Sequence, residues 1–329
     1  MEFVPAATLW VLTLVRLPTA KDARRRCVFL ATLLAAGACT LYVPAVYYSV
    51  DPFLGGKNRV GLVTLLSLLL GFWQFRSAIL LAVLSEDKGR RRQLVWGRLV
   101  TFAACAAVAV GFSTSRVDAT DQNLPLTYGD QPGMAVFLWT GSAFIIWVCV
   151  DIARVCRANV PSMRTRAFRS AFLLIGFGCV MFTLVLVNRL IYGAVVASEG
   201  SMGSTATALN VLYGVGETMA VLLVSLGLLL PRLAAQLHHT AFELRVRLLL
   251  LKVDPIWKRI TEGQLQLVLA KPHPAIALLR RHPENHLHRR LVEIRDCEMS
   301  SPTTAARLNA EDRAVVEKAE HMLGKYGGT

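Results

Sequence analysis

The sequence predicts an all-α membrane protein: a polytopic bundle of seven transmembrane helices, N-terminus outside and C-terminus inside, with a small helical cytosolic domain behind it. Three observations predict this. Seven apolar stretches run through the first 230 residues. The Lys and Arg residues between them fall on alternate sides. Hydrophobic residues make up 54% of the chain, against roughly 45–50% in a soluble globular protein.

A hydrocarbon core about 30 Å thick needs roughly 20 apolar residues per helical span. The candidate spans are Phe3–Pro18, Cys27–Val50, Val60–Leu84, Leu99–Ser113, Met134–Val155, Ala171–Val195 and Ala208–Leu230. The first is short, and reads either as a marginal helix or as a span whose reading frame begins late. The fourth is also short and extends back over Trp96, a residue suited to the interface. A secretory signal carries its positive charge before the apolar run. Here only Glu2 precedes it, while Arg16, Lys21 and Arg24-Arg25-Arg26 follow, which predicts a retained helix with the N-terminus outside.

The other connections predict the same orientation. Lys88, Arg90, Arg91, Arg92 and Arg98 lie between spans three and four, and Arg154, Arg157, Arg164, Arg166 and Arg169 surround the connection of spans five and six. On the other side are only Lys57, Arg59 and Arg116, with Asp51, Asp118, Asp121, Asp130 and Glu199. Cytoplasmic loops carry the excess of Lys and Arg. Backbone polar groups in lipid must be paired within their own segment, so the spans are helices. The net charge of +14 is then topological, with anionic lipid as its partner. Basic residues scattered over several loops, without interleaved aromatics, predict no nucleic-acid binding.

The membrane domain is read as residues 1–231 and the tail domain as 232–329. All seven histidines lie in the tail, which leaves the bundle without the commonest proton relay and metal ligand. Tail helices are expected over Leu233–Lys252, as a continuation of span seven that could lie along the inner membrane surface, and over Asp254–Ala270, with Pro255 at its start. Lys271-Pro272-His273-Pro274 is a break. His286–Met299 has Leu287, Leu291 and Ile294 on one stripe. After a loop at 300–304, Asn309 caps a last helix with Val315, Ala319, Met322 and Leu323 inward.

No catalytic motif is present. His282-Pro283-Glu284-Asn285-His286 lacks the Glu directly after the first His, and the unbroken helix, that a zinc protease needs. No nucleophile elbow, phosphate cradle or paired acidic site occurs, and no metal or cofactor is expected. None of the seven cysteines falls in an outer loop, so no disulfide framework is expected; Cys149 and Cys156 share a helix face and read as packing.

Four ionisable residues fall within or at the edge of the spans: Arg76, Asp151, Arg189 and Glu217. Such residues usually face a partner or a wet cavity. Counting about 1.5 Å per residue puts Arg76 and Asp151 at one depth near the inner side, and Arg189 and Glu217 at another toward the outer side. The functional reading is an outward polar site of Asn188, Arg189, Tyr192, Tyr213 and Glu217; the structural reading is ion pairs fixing register, or snorkelling arginines. Small residues at four-residue spacing, Ala103-Ala107-Gly111 and Gly216-Ala220, mark helix contacts. Pro44 predicts a kink in span two, and Tyr42, Tyr47, Tyr48, Trp139 and Tyr192 fit interfacial positions. In the tail, Arg289, Arg290, Glu293, Arg295 and Asp296 mark either a solvated amphipathic helix or a partner-docking helix, with Arg289 and Glu293 spaced to pair.

The segment Arg289-Arg290-Leu291-Val292-Glu293-Ile294-Arg295-Asp296 resembles the signature of a C-terminal domain of unknown function from high-GC Gram-positive bacteria, in proteins commonly labelled putative transporters. Pro274-Ala275-Ile276-Ala277-Leu278, Pro44-Ala45-Val46-Tyr47, Val50-Asp51 and Trp73-Gln74 are similar to further segments of that family; Cys297-Glu298-Met299 departs from its more apolar continuation. The resemblance implies several spans followed by a cytosolic helical domain, and supplies no substrate, cofactor or active residue. The expected function is a non-enzymatic sensor or regulatory protein of the cell (plasma) membrane, multi-pass, signalling to a soluble partner through residues 232–329. The alternative is a small-solute or ion transporter with its site near Arg189 and Glu217.

Overall fold

A computed structural model describes residues 3–17, 22–84, 88–129, 131–163, 165–199, 204–262, 282–300 and 307–326. Its helices are α1 Phe3–Arg16, α2 Ala23–Leu41, α3 Pro44–Val50, α4 Arg59–Val83, α5 Lys88–Thr114, α6 Leu124–Tyr128, α7 Pro132–Asn159, α8 Arg166–Glu199, α9 Ser204–Thr261, α10 Pro283–Ser300 and α11 Ala310–Tyr326, with single 3-10 turns at Asp51–Leu54 and Val160–Ser162. No strand occurs among the described residues. The Lys271–Pro274 break, the 274–278 segment and residues 301–304 of the expected 300–304 loop lie outside them, while Ser300 ends α10.

Among the described residues five helices, α4, α5, α7, α8 and α9, are long and apolar enough to cross a membrane, and six spans result if α2 and α3 are one broken span. The α2–α3 bend is 84°, far more than a kink. Proline disfavours the α conformation in the residue before it, and Val43 is extended, with φ −65° and ψ 126°. The chain therefore stops at Leu41 and restarts at Pro44. Helix α1 has 14 residues, about 21 Å of rise, short of a full span.

The chain divides into two compact units, Met1–Arg232 and Leu233–Thr329. In the first, α2 packs on α1 and α4, α7 packs on α4, α5 and α8, and α5 also packs on α4. Its core includes Leu69, Phe75, Val108, Met134, Phe144, Val148, Cys149, Ile152 and Cys179. Close helix approach rests on glycines: a Cβ on Gly111 would lie 2.7 Å from the Gly133 carbonyl oxygen, and one on Gly216 would lie 2.6 Å from Val185 Cγ2. The buried stripe of α5 is Ala104, Val108 and Gly111. Ala103 is exposed and Ala107 only half-buried, so of the expected triplet only Gly111 sits in the seam. Gly216 and Ala220 are both buried as expected.

The first and last helices of this unit are tied by two arginines. Arg16 Nη2 donates to the Leu228 carbonyl (2.7 Å), and Arg232 Nη1 donates to the Val15 carbonyl. Pro231, expected to end the membrane part, lies inside α9; proline is tolerated in such helices when neighbouring groups satisfy the freed backbone.

The second unit has its own core, built from Val246, Leu250, Val253, Trp257 and Ile260 of α9, Leu287, Leu291, Ile294 and Cys297 of α10, and Val316 and Ala319 of α11. Pro255 also lies inside α9 instead of starting a helix. The Asp254 carboxylate pairs with Lys258 (2.9 Å) and Arg290 (2.6 Å). Asn309 does cap α11: its Oδ1 accepts the Asp312 N–H at 2.6 Å, and Asp312 Oδ2 faces the Asn309 N–H at 3.4 Å, a reciprocal box. Arg295 forks onto both Glu320 oxygens (2.8 and 2.9 Å) and reaches Glu298 (2.8 Å). These bonds raise the Arg295 guanidinium above its ordinary range and hold the Glu320 carboxyl below 4.5. A carboxyl lowered by folding contributes stability above its unfolded value and loses it as pH falls through the folded one. Glu320→Gln is therefore expected to flatten the acid limb of this unit's helix signal below about pH 4.5, read by circular dichroism of the full chain at pH 6 and about pH 3.5.

Candidate functional site

The end of the bundle where α4 begins is closed by a polar knot. Asp51 is fully buried. Its Oδ1 accepts the Val60 N–H (3.0 Å), and its Oδ2 accepts the Asn58 N–H (3.0 Å) and the Thr120 hydroxyl (2.6 Å). Two of these donors belong to the unsatisfied first turn of α4, where helix geometry favours an anion. Asn58, also fully buried and at φ 57°, accepts from the Tyr47 hydroxyl (3.0 Å) and the Asp121 N–H (2.8 Å), and donates to the Ala119 carbonyl (3.0 Å). Tyr128 bonds both backbone groups of Ala119. Tyr47 is thus a core residue, and Tyr192 is likewise buried; Tyr42, Tyr48 and Trp139 are the expected interfacial aromatics that stay exposed.

Below this knot lies a cavity of about 620 Å³. Its walls come from α1, α2, α4, α7, α8 and α9, with Tyr47, Gln122 and Leu124 at its head; α5 contributes nothing. Most of the lining is apolar, including Leu65, Phe72, Ile145, Phe182 and Leu186. Arg189, Asn210, Tyr213 and Glu217 put charge and hydrogen-bonding groups on one wall. Helical spacing explains this: Tyr213 and Glu217 are four apart on α9 and share its inward face.

Of the five residues read as an outward site, Arg189, Tyr213 and Glu217 line the cavity, while Asn188 and Tyr192 hold the α8–α9 seam beside it. Asn188 Nδ2 donates to the Leu209 carbonyl at 2.9 Å. Arg189 does not pair with Glu217. Its guanidinium carbon sits 4.9 Å from the ring centres of both Tyr192 and Tyr213, and Nη1 reaches Asn210 Oδ1 at 3.4 Å. Tyr213 takes the arginine that depth counting assigned to the carboxylate, and Glu217 is left beside the Tyr213 hydroxyl. Asn210, Thr64 and Ser225 belong to the cavity and were not singled out by the sequence; neutral polar residues on apolar helices carry no pattern that separates cavity from packing.

Toward the other end, Arg76 and Asp151 do pair, Nε to Oδ2 at 2.7 Å. Arg76 Nη1 donates to the Gln93 carbonyl (3.2 Å) and its guanidinium lies 5.0 Å from the Trp147 ring centre. One arginine therefore ties α4, α5 and α7. A Cβ on Gly97 would come within 2.5 Å of Arg76 Nη1, so the arginine fits because that position is glycine. This geometry is a register pin.

In α10, Arg290 and Glu293 point inward. Glu293 accepts Trp257 Nε1 (2.6 Å) and Arg289 Nε (2.9 Å), and Arg290 lies 5.2 Å from the Trp257 ring centre while pairing with Asp254. Arg289 and Arg295 are half-buried and already paired, with Glu293 and with Glu298 and Glu320, and Asp296 is exposed. Among the described residues no cluster of three His, Cys, Asp or Glu is placed to hold a metal. No family model matches the chain, and neither a curated protein nor a solved structure matches it.

Proposed function

We propose that the chain is a non-enzymatic sensor of the plasma membrane, in which a small molecule enters the cavity beside Arg189 and Glu217 and residues 232–329 pass the event to a soluble protein. In this reading Phe3–Arg16 is a short first span of seven, the N-terminus is outside and the C-terminal unit is cytosolic. The basic residues at 24–26, 88–92 and 154–169 support that orientation, and the RRLVEIRD signature supports the high-GC Gram-positive family. The observation that carries the reading is the 620 Å³ cavity with an arginine and a carboxylate on one wall, in the size range of small-molecule sites. Helix α9 lines that cavity from Asn210 to Leu228.

Transport of a small solute or ion is the second reading. It is favoured by a polar group, Ser225, that continues the cavity two turns beyond Glu217. Proteoliposomes with a pH-sensitive and a sodium-sensitive dye separate the two. The sensor reading expects no proton or sodium flux above empty vesicles, for native protein and for Glu217→Gln alike. Flux by the native protein that falls to the level of empty vesicles in a folded Glu217→Gln variant would replace sensing by transport.

A further inference from the structure

We infer that the cavity takes a small amphipathic cation: a protonated amine at Glu217, on an apolar body about 12 Å long that ends in a hydrogen-bonding group at Ser225. This rests on the ligand-cavity reading above and names the chemistry of the occupant.

The charges of the wall are unequally served. Arg189 has two aromatic rings and Asn210 around it. No cation forms an ion pair with Glu217 among the described residues, where its polar neighbour is the Tyr213 hydroxyl. Arg189 is near enough to act on the carboxylate through space but makes no ion pair with it, and a buried carboxylate without a contacting cation is costly unless one joins it. An ammonium group supplies the charge and three donors.

The hydroxyls mark the rest of the occupant. Serine and threonine inside a helix usually donate back to the carbonyl one turn earlier, and Thr13, Thr40, Thr101, Thr183 and Thr218 do so here. Thr64 and Ser225 do not. They are 6% and 2% exposed, both line the cavity, and their oxygens have no partner. Ser225 lies eight residues beyond Glu217 on α9, about 12 Å along the axis. On α9 the lining between them is Thr218, whose hydroxyl is bonded to its own helix, then Ala220, Val221 and Val224, and Phe72, Ile145 and Phe182 add to the apolar lining. An amine at one end, hydrocarbon in the middle and a hydroxyl or carbonyl at the far end serves Glu217, the apolar lining and Ser225.

The test uses the full chain in phosphatidylcholine nanodiscs, with empty nanodiscs as baseline, and calorimetric titration of octylamine, 8-amino-1-octanol and octanoate. Both amines are expected to bind at least about tenfold more tightly than octanoate, and Glu217→Gln to remove that preference. Ser225→Ala is expected to weaken 8-amino-1-octanol by about fivefold, one hydrogen bond's worth, and to leave octylamine unchanged. If Glu217→Gln does not fold, the amine preference of the native protein and the Ser225→Ala split decide. Nanodiscs containing phosphatidylethanolamine that compete with octylamine would identify a lipid as the source of the same amine. Octanoate binding as tightly as octylamine, and lost in the cavity-filling variant Leu186→Trp, would overturn the cation while keeping the ligand cavity. No saturable binding by any of the three would overturn both.

Discussion

Asp51→Ala is expected to destabilise the protein by about 3–5 kcal/mol, the scale for removing one side of a buried charge-centred network. The carboxylate is fully buried and serves two backbone N–H groups and one hydroxyl, all within 3.0 Å. Alanine removes a single acceptor group and strands three donors, and the two in the first turn of α4 have no alternative partner within their helix. Thr120→Val removes only one of the bonds and should cost about 1 kcal/mol. Asp51→Asn should fall between, because the amide keeps one acceptor oxygen and turns an N–H₂ toward another donor. Thermal unfolding of the detergent-solubilised protein, followed by size-exclusion chromatography, ranks the three. A melting temperature for Asp51→Ala within about a degree of the native protein would mean that the knot contributes little.

The second large effect is an asymmetry at the other end of the bundle. The Arg76 side chain is 6% exposed and that of Asp151 30%. Removing Asp151 leaves a buried guanidinium without its anion; removing Arg76 leaves a carboxylate that is a third open. Asp151→Leu is therefore expected to cost about 3–5 kcal/mol and Arg76→Met about 1–3. The double variant should lose less than the sum, since two apolar groups strand no charge. The same melting experiment reads all three. Equal single losses, or a double variant that loses the full sum, would rule out the ion pair as the source of the effect.

Much of this architecture is legible in the sequence, and the failures have specific causes. Apolar length locates α4, α7 and α8 closely, because lipid-length hydrophobic runs have few other solutions, but it misses the basic first turns of α5, which begins at Lys88 and not at Leu99. Counting residues from the helix ends pairs Arg76 with Asp151 correctly. The same count pairs Arg189 with Glu217, and there it fails: depth along a helix says nothing about which way a side chain faces, and two tyrosines reach the guanidinium first. Asp51 reads as one of several outer-loop acids. Its burial is set by backbone N–H donors, which leave no trace in the side-chain pattern. The one local sign is the Gly55-Gly56-Lys57-Asn58 turn, all four at positive φ, which folds the chain back over the carboxylate. In span four the alanines at 103, 104, 106 and 107 make every face look small, so spacing alone selects the wrong stripe. Pro231 and Pro255 read as boundaries because proline ends most helices, yet α9 runs through both. Arg290 and Glu293 look like surface charges of an amphipathic helix; they are buried because Asp254 and Trp257, more than thirty residues earlier, meet them.

Signalling from residues 232–329 to a soluble protein is the proposal on which the sensor reading depends. It is tested most directly by affinity purification from native membranes in mild detergent with quantitative mass spectrometry, comparing the full chain with one ending at Arg232. One soluble protein is expected in near-equal amount with the full chain and absent with the shortened one. Recovery of the same proteins with both chains would contradict it, and would leave transport through the Glu217 cavity as the reading to pursue.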